Sequence, residues 1–290
     1  MLNRIILLLK GMAMGGADVI PGVSGGTIAL ITGIYEELIN SIRSVDGTLV
    51  QLLLKFRIKA VWERINGAFL LNVLLGILIS IFSLARLITY LLDEHPIQVW
   101  SFFFGLILVS VFYVSPSKMK GADYVGFILG ALIAYAITSF VPGETTESLW
   151  FVFISGSIAI CAMILPGISG SFILLLLGKY DYVLGAVKDL NLGVIAVFGL
   201  GCLVGIISFS KLIHWLLQHY KPVTMSVLAG FMLGSLNKIW PWKIDLDNVL
   251  PTHYSIVTGM DNYLGIAILF FILGIGIVVL LEQAGKQVKA

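Results

Sequence analysis

The sequence predicts an all-α polytopic membrane protein made of two inverted-topology repeats, each with one re-entrant helical hairpin and three transmembrane helices. Hydrophobic residues make up 59% of the 290 residues and charged residues only 12%, with a mean hydropathy of +1.02. A chain this apolar cannot hide its nonpolar surface in a water-soluble core. Several windows with at most one charge are long enough to cross a bilayer. In addition, residues 17–27 recur in degraded form at residues 162–172.

The duplication defines the predicted domains, residues 1–145 and 146–290. Aligning residues 17–42 with 162–187 gives nine identities in 26 positions, which indicates a doubled unit. The first repeat is predicted to contain a hairpin at about 11–42 and helices at about 67–92, 97–114 and 122–142. The second is predicted to contain a hairpin at about 148–187 and helices at about 190–217, 222–240 and 262–282.

Two apolar segments are interrupted by a Pro-Gly pair and do not fit as ordinary crossings. Residues 148–178 are uncharged, and a continuous helix of that length would measure roughly 47 Å against a hydrocarbon core of about 30 Å. This segment and residues 19–35 are therefore predicted to be re-entrant hairpins. Backbone freed at such a break is tolerated only under a cover of protein or water, so both turns are expected inside the bundle.

The charged loops predict the orientation. If both hairpins return to the side they entered, 12 Lys and Arg residues lie on one side, three on the other and three within segments. The positive-inside rule then makes both termini cytoplasmic. If both broken segments cross the membrane fully, the Lys and Arg residues divide at best ten against five. If the first is a hairpin and the second a crossing, they divide 12 against three, as they do for two hairpins. Because the two segments are copies of each other, both are predicted to be hairpins. Each half then has three crossings, and this odd number gives the two halves opposite orientations in the membrane.

Residues 44–66 are basic, carry several apolar residues and have no clear counterpart in the second half. They fit either an amphipathic helix on the anionic cytoplasmic leaflet or a solvated loop. Cys161 and Cys202 lie in apolar windows without ligand-type neighbours. Neither a disulfide framework nor a metal site nor a cofactor is therefore predicted, and a packing role is expected for both cysteines.

The two Pro-Gly breaks are the predicted substrate-binding site. In each break the proline ends one half-helix, the glycines permit a tight turn and a serine can cap the next half-helix, whose amides and positive dipole end attract an anion. One broken helix per half is typical of a transporter's binding site. Glycine-mediated close packing is the alternative explanation. The predicted residues are Pro21, Gly22, Ser24, Gly25, Gly26 and Thr27, and in the second break Pro166, Gly167, Ser169, Gly170 and Ser171.

Charged residues within the apolar segments are further candidates. Arg86 and Lys211 occupy equivalent positions near helix ends, so that each leaflet would offer one cation to an incoming phosphate; snorkelling to the interface is the alternative. Asp18 precedes the first break and is a candidate for proton or cation coupling. Two matched acids at the hairpin ends are weaker candidates, since solvated carboxylates there need no role: Glu36 and Asp181.

These residues also carry a family resemblance. The segment Ala17-Asp-Val-Ile-Pro-Gly-Val-Ser-Gly-Gly-Thr27, followed by Gly33-Ile-Tyr-Glu-Glu-Leu-Ile39 and by Leu165-Pro-Gly-Ile-Ser-Gly170, resembles the PopT family of bacterial polyprenyl-phosphate transporters. The resemblance covers nearly the whole chain. It implies that undecaprenyl phosphate, the lipid carrier of cell-wall peptidoglycan synthesis, is returned across the cytoplasmic membrane for reuse. The implied partners are this lipid and membrane lipids, with no nucleic acid and no enzymatic activity.

Two other classes of function remain open. Membrane undecaprenyl-pyrophosphate phosphatases also resemble inverted repeats with a Pro-Gly-x-Ser motif, but theirs continues with arginine and is accompanied by a glutamate-rich helix. Here Gly25 and Gly170 follow the serines. An anion channel, a transporter of another anionic substrate or a purely structural membrane protein would explain the doubled breaks less fully. The residues themselves predict a carrier with a site for an anionic group, and do not identify the prenyl tail.

Overall fold

The computed structural model describes residues 2–140, 143, 145–245 and 247–289, and nearly all of them are helical. The first half contains α1 Leu2–Asp18, α2 Gly25–Ile31, α3 Tyr35–Arg43, α4 Gly47–Leu54, α5 Ile58–Arg64, α6 Gly67–Glu94, α7 Pro96–Val114 and α8 Gly121–Ser139. The second contains α9 Leu149–Ile164, α10 Gly170–Leu176, α11 Tyr180–Lys188, α12 Leu192–His219, α13 Lys221–Ser235, a 3-10 helix Leu236–Ile239, strands β1 Lys243–Ile244 and β2 Asp247–Asn248, α14 Pro251–Thr258 and α15 Leu264–Lys289. The predicted class of an all-α polytopic membrane protein is confirmed.

Five helices in the described ranges are long and apolar enough to cross a membrane: α6, α7, α8, α12 and α15. The chain is therefore a multi-pass membrane protein. The predicted crossing at residues 222–240 is instead a shorter helix, the 15-residue α13. It measures about 22 Å and is continued by the 3-10 helix. Residues 141 and 142, the predicted end of the third crossing, lie outside the described residues.

Each broken segment contains three helices, where the sequence predicted two half-helices. Gly33 and Gly178 adopt left-handed conformations with φ of 74° and 59°, and they end α2 and α10 after seven residues each. The chain then turns into α3 or α11, and the bend between α10 and α11 is 107°. The matched acids Glu36 and Asp181 consequently lie in the first turn of a third helix, where the helix dipole favours a negative charge.

Glycines bring the long helices into backbone contact. A Cβ atom added to Gly230 of α13 would lie 2.1 Å from the carbonyl oxygen of Phe127 in α8, and one added to Gly130 would lie 2.4 Å from that of Val227. The same kind of contact joins α1 to α6, α9 to α12 and α7 to α15. Lipid tails are as apolar as the helix surfaces, so the hydrophobic effect does not drive membrane helices together. Van der Waals packing at such close approach stabilises their association instead.

The cysteines lie at one of these interfaces, between α9 and α12. The thiol of Cys161 donates to the carbonyl oxygen of Gly205 at 3.5 Å, and that of Cys202 donates to Gly156 at 3.4 Å. Both are free thiols. Their contacts agree with the packing role that the sequence predicts.

Helix α7 packs against α13 and against the 3-10 helix that follows it. Phe104, in the middle of α7, has its ring centroid 5.5 Å from that of Trp240, which follows α13. Trp100, still closer to the start of α7, lies 5.0 Å from the Nζ atom of Lys243. The first half of α7 thus lies beside the segment that follows α13.

Residues 44–66 form two short helices, α4 and α5, so the interpretation as a plain loop is wrong. Asp46 caps α4 through a 3.0 Å bond from the amide of Leu49, and its other oxygen lies 2.5 Å from Nη2 of Arg64 in α5. These interactions hold the pKa of Asp46 below its usual value. Leu54 and Phe56 are 74% and 86% exposed, which suits a surface that contacts lipid.

Candidate functional site

Ser24 caps α2, as the sequence predicts. Its backbone is extended at the N-cap position, and its Oγ atom accepts a hydrogen bond from the amide of Gly26 at 3.1 Å. The same hydroxyl donates to the carbonyl oxygen of Met163 in α9 at 2.9 Å, and the side chain is fully buried. The cap of the first half is therefore attached to the second half.

The two breaks are in direct contact. The amide of Gly167 donates to Oγ1 of Thr27 at 2.8 Å, although 140 residues separate them. A Cβ atom on Gly26 would lie 2.7 Å from the carbonyl oxygen of Ile164, so only a glycine permits this approach. Thr27 is fully buried and Ser169 is 5% exposed. The buried residues of both breaks consequently contact protein, while Pro21 and Ser171 are exposed.

The turns themselves also pack against the end of α13. Gly22 and Gly167 share a φ of 89°, a left-handed conformation that favours glycine. A Cβ atom on Gly22 would lie 2.8 Å from Cγ of Lys238, and one on Gly167 would lie 2.5 Å from Oγ of Ser235. Pro21 is exposed, whereas Pro166, its counterpart in the second break, is buried. The end of α13 is thus a common base for both turns.

Asp18 occupies the start of α2. Its Oδ1 atom accepts a hydrogen bond from the amide of Gly25 at 2.6 Å. Since the next amide, that of Gly26, binds Ser24, the first two amides of α2 are already bonded. The expectation of an open helix start at the first break is therefore corrected. The dipole end does attract an anion, but in this structure the anion is the protein's own carboxylate.

The start of α10 is built differently. Ser169 stands at the N-cap position, yet its Oγ atom bonds to Oγ of Ser171 at 2.7 Å and makes no capping bond. The prediction that both serines cap through their side chains is wrong for Ser169. Where the first break has Asp18, the second has Met163, whose Cγ atom would lie 2.6 Å from a Cβ on Gly170. The second break therefore presents two hydroxyl groups, with a thioether in place of the carboxylate.

Arg86 and Lys211 both have exposed side chains on the long helices α6 and α12. Within the described residues, neither makes a hydrogen bond or ion pair. Arg86 is about 200° around the helix from Leu84, which faces the neighbouring helices. The structure thus leaves both cations at the periphery, while the breaks are buried.

Of the three candidate coupling acids, Asp18 alone touches a break. Oε1 of Glu36 lies 2.6 Å from Nζ of Lys221, and both side chains are about half exposed. Such a surface pair contributes at most about 1 kcal/mol. Asp181 is exposed at the start of α11. These two acids meet solvent, which agrees with the simpler explanation of their positions.

An apolar cleft of about 450 Å³ lies beside the first break, between α1, α2, α6, α7 and α15. Ala17, Ile20 and Ile28 form its wall next to the break. Thr32 also lines it, but its hydroxyl bonds to the carbonyl oxygen of Ile28 at 2.8 Å. The cleft therefore offers a nonpolar surface adjacent to the polar turns.

Comparison with known proteins places this geometry in a family. Residues 14–257 match the VCA0040-like family model, described as undecaprenyl phosphate translocase-like. The chain belongs to this translocase-like family. The match includes both breaks and the end of α13, but not the wall of the cleft that α15 forms. No solved structure matches the chain significantly.

Two curated relatives of the translocase-like family are similar over most of their length. A polyprenyl-phosphate transporter of Vibrio cholerae serotype O1 (strain ATCC 39315 / El Tor Inaba N16961) is 45% identical, covering 99% of this chain and 98% of the relative. A polyprenyl-phosphate transporter of Staphylococcus aureus (strain NCTC 8325 / PS 47) is 36% identical, covering 81% of this chain and 86% of the relative. These names indicate a transporter and not an enzyme.

Proposed function

We propose that this protein translocates undecaprenyl phosphate across the bacterial cytoplasmic membrane, returning the carrier lipid for peptidoglycan synthesis. The observation that carries the proposal is the 2.8 Å hydrogen bond from Gly167 to Thr27, which joins the two breaks inside the protein. A phosphate headgroup needs such a protein-enclosed polar site to pass the hydrocarbon core. The names of both curated relatives support the same substrate class.

The proposed architecture is two inverted repeats with both termini in the cytoplasm. Helices α7 and α13 correspond in the two halves, and the contact of the first half of α7 with the segment that follows α13 supports opposite directions for them. Two oppositely oriented halves around a shared site can rock against each other and open it to one side at a time. The joined breaks are the fixed site of this motion.

The phosphate is proposed to bind between the starts of α2 and α10. The hydroxyls of Ser169 and Ser171 supply hydrogen-bond donors there. Arg86 and Lys211, which are exposed, meet the headgroup as it arrives from either leaflet. The apolar cleft beside the first break, together with surrounding lipid, accommodates the prenyl tail.

Asp18 is the proposed coupling group. Its carboxylate lies at the first amide of α2, where it opposes a second negative charge. Protonation removes this repulsion, so that a proton and a phosphate occupy the site together. Transport would then respond to a pH gradient.

The proposal is tested with purified protein in liposomes containing either undecaprenyl phosphate or undecaprenol, with and without a pH gradient. We expect translocation of the phosphorylated lipid only. Ser171→Leu places bulk at the start of α10 on an exposed position and should abolish transport, whereas the matched loop variant Ser117→Leu should not. Equal movement of both lipids would refute the proposed substrate. Release of phosphate from undecaprenyl diphosphate would favour the phosphatase-like alternative.

A further inference from the structure

One lysine side chain contacts the first break and the helix that follows the second break, α10. Lys238 lies on the 3-10 helix after α13, and its Cγ atom would be 2.8 Å from a Cβ atom on Gly22 in the first break. Its Nζ atom is 4.4 Å from the ring centroid of Phe172, the third residue of α10. The ammonium group thus lies against the ring of a residue in the first turn of α10, the helix that begins after Ser169 and also carries Ser171.

A second lysine lies directly beside the first. The Nζ atom of Lys243 donates to the carbonyl oxygen of Lys238 and lies 5.0 Å from the ring centroid of Trp100. Burial and the charge of Lys238 lower the pKa of Lys243 to about 8. Two partly buried ammonium groups near one another are unfavourable unless an anion accompanies them.

The described residues place no carboxylate within ion-pair distance of either lysine; the three ion pairs found there involve Lys59, Arg64 and Lys221. Within the part of the chain that the structure describes, the Nζ atom of Lys238 contacts an aromatic face and no hydrogen-bond acceptor. A cation held this way keeps its N–H groups available to an acceptor. The pair therefore differs from Arg86 and Lys211, which are exposed to the surroundings.

We propose that Lys238 is the phosphate-binding cation of the central site and that Lys243 supplies a second positive charge to the same headgroup. This inference rests on the proposed function, because it assumes that the headgroup reaches the joined breaks. Lys238 binds the phosphate from the side of α13, while the hydroxyls of Ser169 and Ser171 bind it from α10. Both lysines follow α13, so a movement of that helix would change the affinity of the site.

The test measures binding of undecaprenyl phosphate and undecaprenol to the full-length protein by native mass spectrometry. Lys238→Met keeps the stem that packs on Gly22 and removes the charge. We expect its affinity for the phosphorylated lipid to fall at least about tenfold, as for loss of a charged hydrogen bond, with no change for undecaprenol. Lys238→Arg should retain affinity within about threefold. The control Lys188→Met removes an exposed lysine of α11 and should bind as the unmodified protein does.

Two outcomes would overturn the inference: unchanged affinity of Lys238→Met for the phosphorylated lipid, or an equal loss for both lipids, which would indicate a structural lysine. Lys238→Gln provides the same comparison if the methionine variant does not fold. The liposome assay on the unmodified protein distinguishes a wrong assignment of Lys238 from a wrong proposed function. If the unmodified protein transports the phosphorylated lipid while Lys238→Met binds that lipid normally, the proposed function stands and the assignment of Lys238 is wrong. If it neither binds nor transports that lipid, the proposed function itself is wrong.

Discussion

Replacing Thr27 with valine should uncouple the two breaks. Valine has nearly the shape of threonine but has no hydroxyl, so the amide of Gly167 would lose its acceptor at 2.8 Å. Thr27 is fully buried, and water therefore cannot replace the lost partner. Leaving a buried donor unsatisfied costs about 1–3 kcal/mol. Because this bond joins segments 140 residues apart, the cost should weaken the contact between the halves as well as the local turn.

The measurement is amide hydrogen exchange of the peptide that contains Gly167, in protein purified in detergent. We expect faster exchange in Thr27→Val, because the amide is no longer bonded, together with a loss of lipid transport in liposomes. Thr27→Ser is the matched control: it keeps the hydroxyl, loses one methyl group and should preserve both protection and transport. If Gly167 is equally protected in the valine and serine variants, the hydrogen bond does not hold the breaks together and the reasoning is refuted.

Three further predictions concern packing, pH and coupling. Gly230→Ala places a Cβ atom 2.1 Å from a backbone oxygen of α8, and unfolding in detergent should show a destabilisation of about 1–3 kcal/mol. The control Gly276→Ala, whose Cβ atom would have nothing within 4 Å, should leave the stability unchanged. Equal stabilities of the two variants would contradict the backbone contact between α13 and α8. An anionic ligand binds the protonated form of Lys243, so affinity for the phosphorylated lipid should fall as the pH rises through about 8. Lys243→Met should remove that step, and a step that persists would assign it elsewhere. Asp18→Asn keeps an oxygen at the first amide of α2 but cannot titrate, so we expect transport that no longer responds to a pH gradient. An unchanged response would exclude Asp18 as the coupling group.

Much of the fold could be predicted because it depends on local composition. The crossings follow from apolar windows of sufficient length, and the structure has helices close to each predicted range, although α13 is shorter than its window. The breaks follow from Pro-Gly pairs, which cannot continue a helix. The third helix of each broken segment was missed. Gly33 and Gly178 are the signal for it, since a glycine that adopts a left-handed conformation ends a helix.

The candidate site was predicted less completely, because its chemistry depends on which distant segments meet. Arg86 and Lys211 match in sequence, but helical phase leaves them exposed. Lys238 was visible as an ionisable residue within an apolar segment, which is a signal of function in itself, yet nothing in the sequence relates it to Gly22. That contact arises because the end of α13 packs under both turns.

The sequence by itself determined the class of the protein, the position of the two breaks and the residue types that surround them. These properties follow from hydrophobicity and from the backbone restrictions of proline and glycine, which act over a few residues. Only the tertiary structure decided that Asp18 occupies the start of α2, that Ser169 bonds to Ser171 instead of capping, and that the breaks bind each other. Those outcomes depend on distances of a few ångströms between segments far apart in the chain, and close packing of the helices sets such distances.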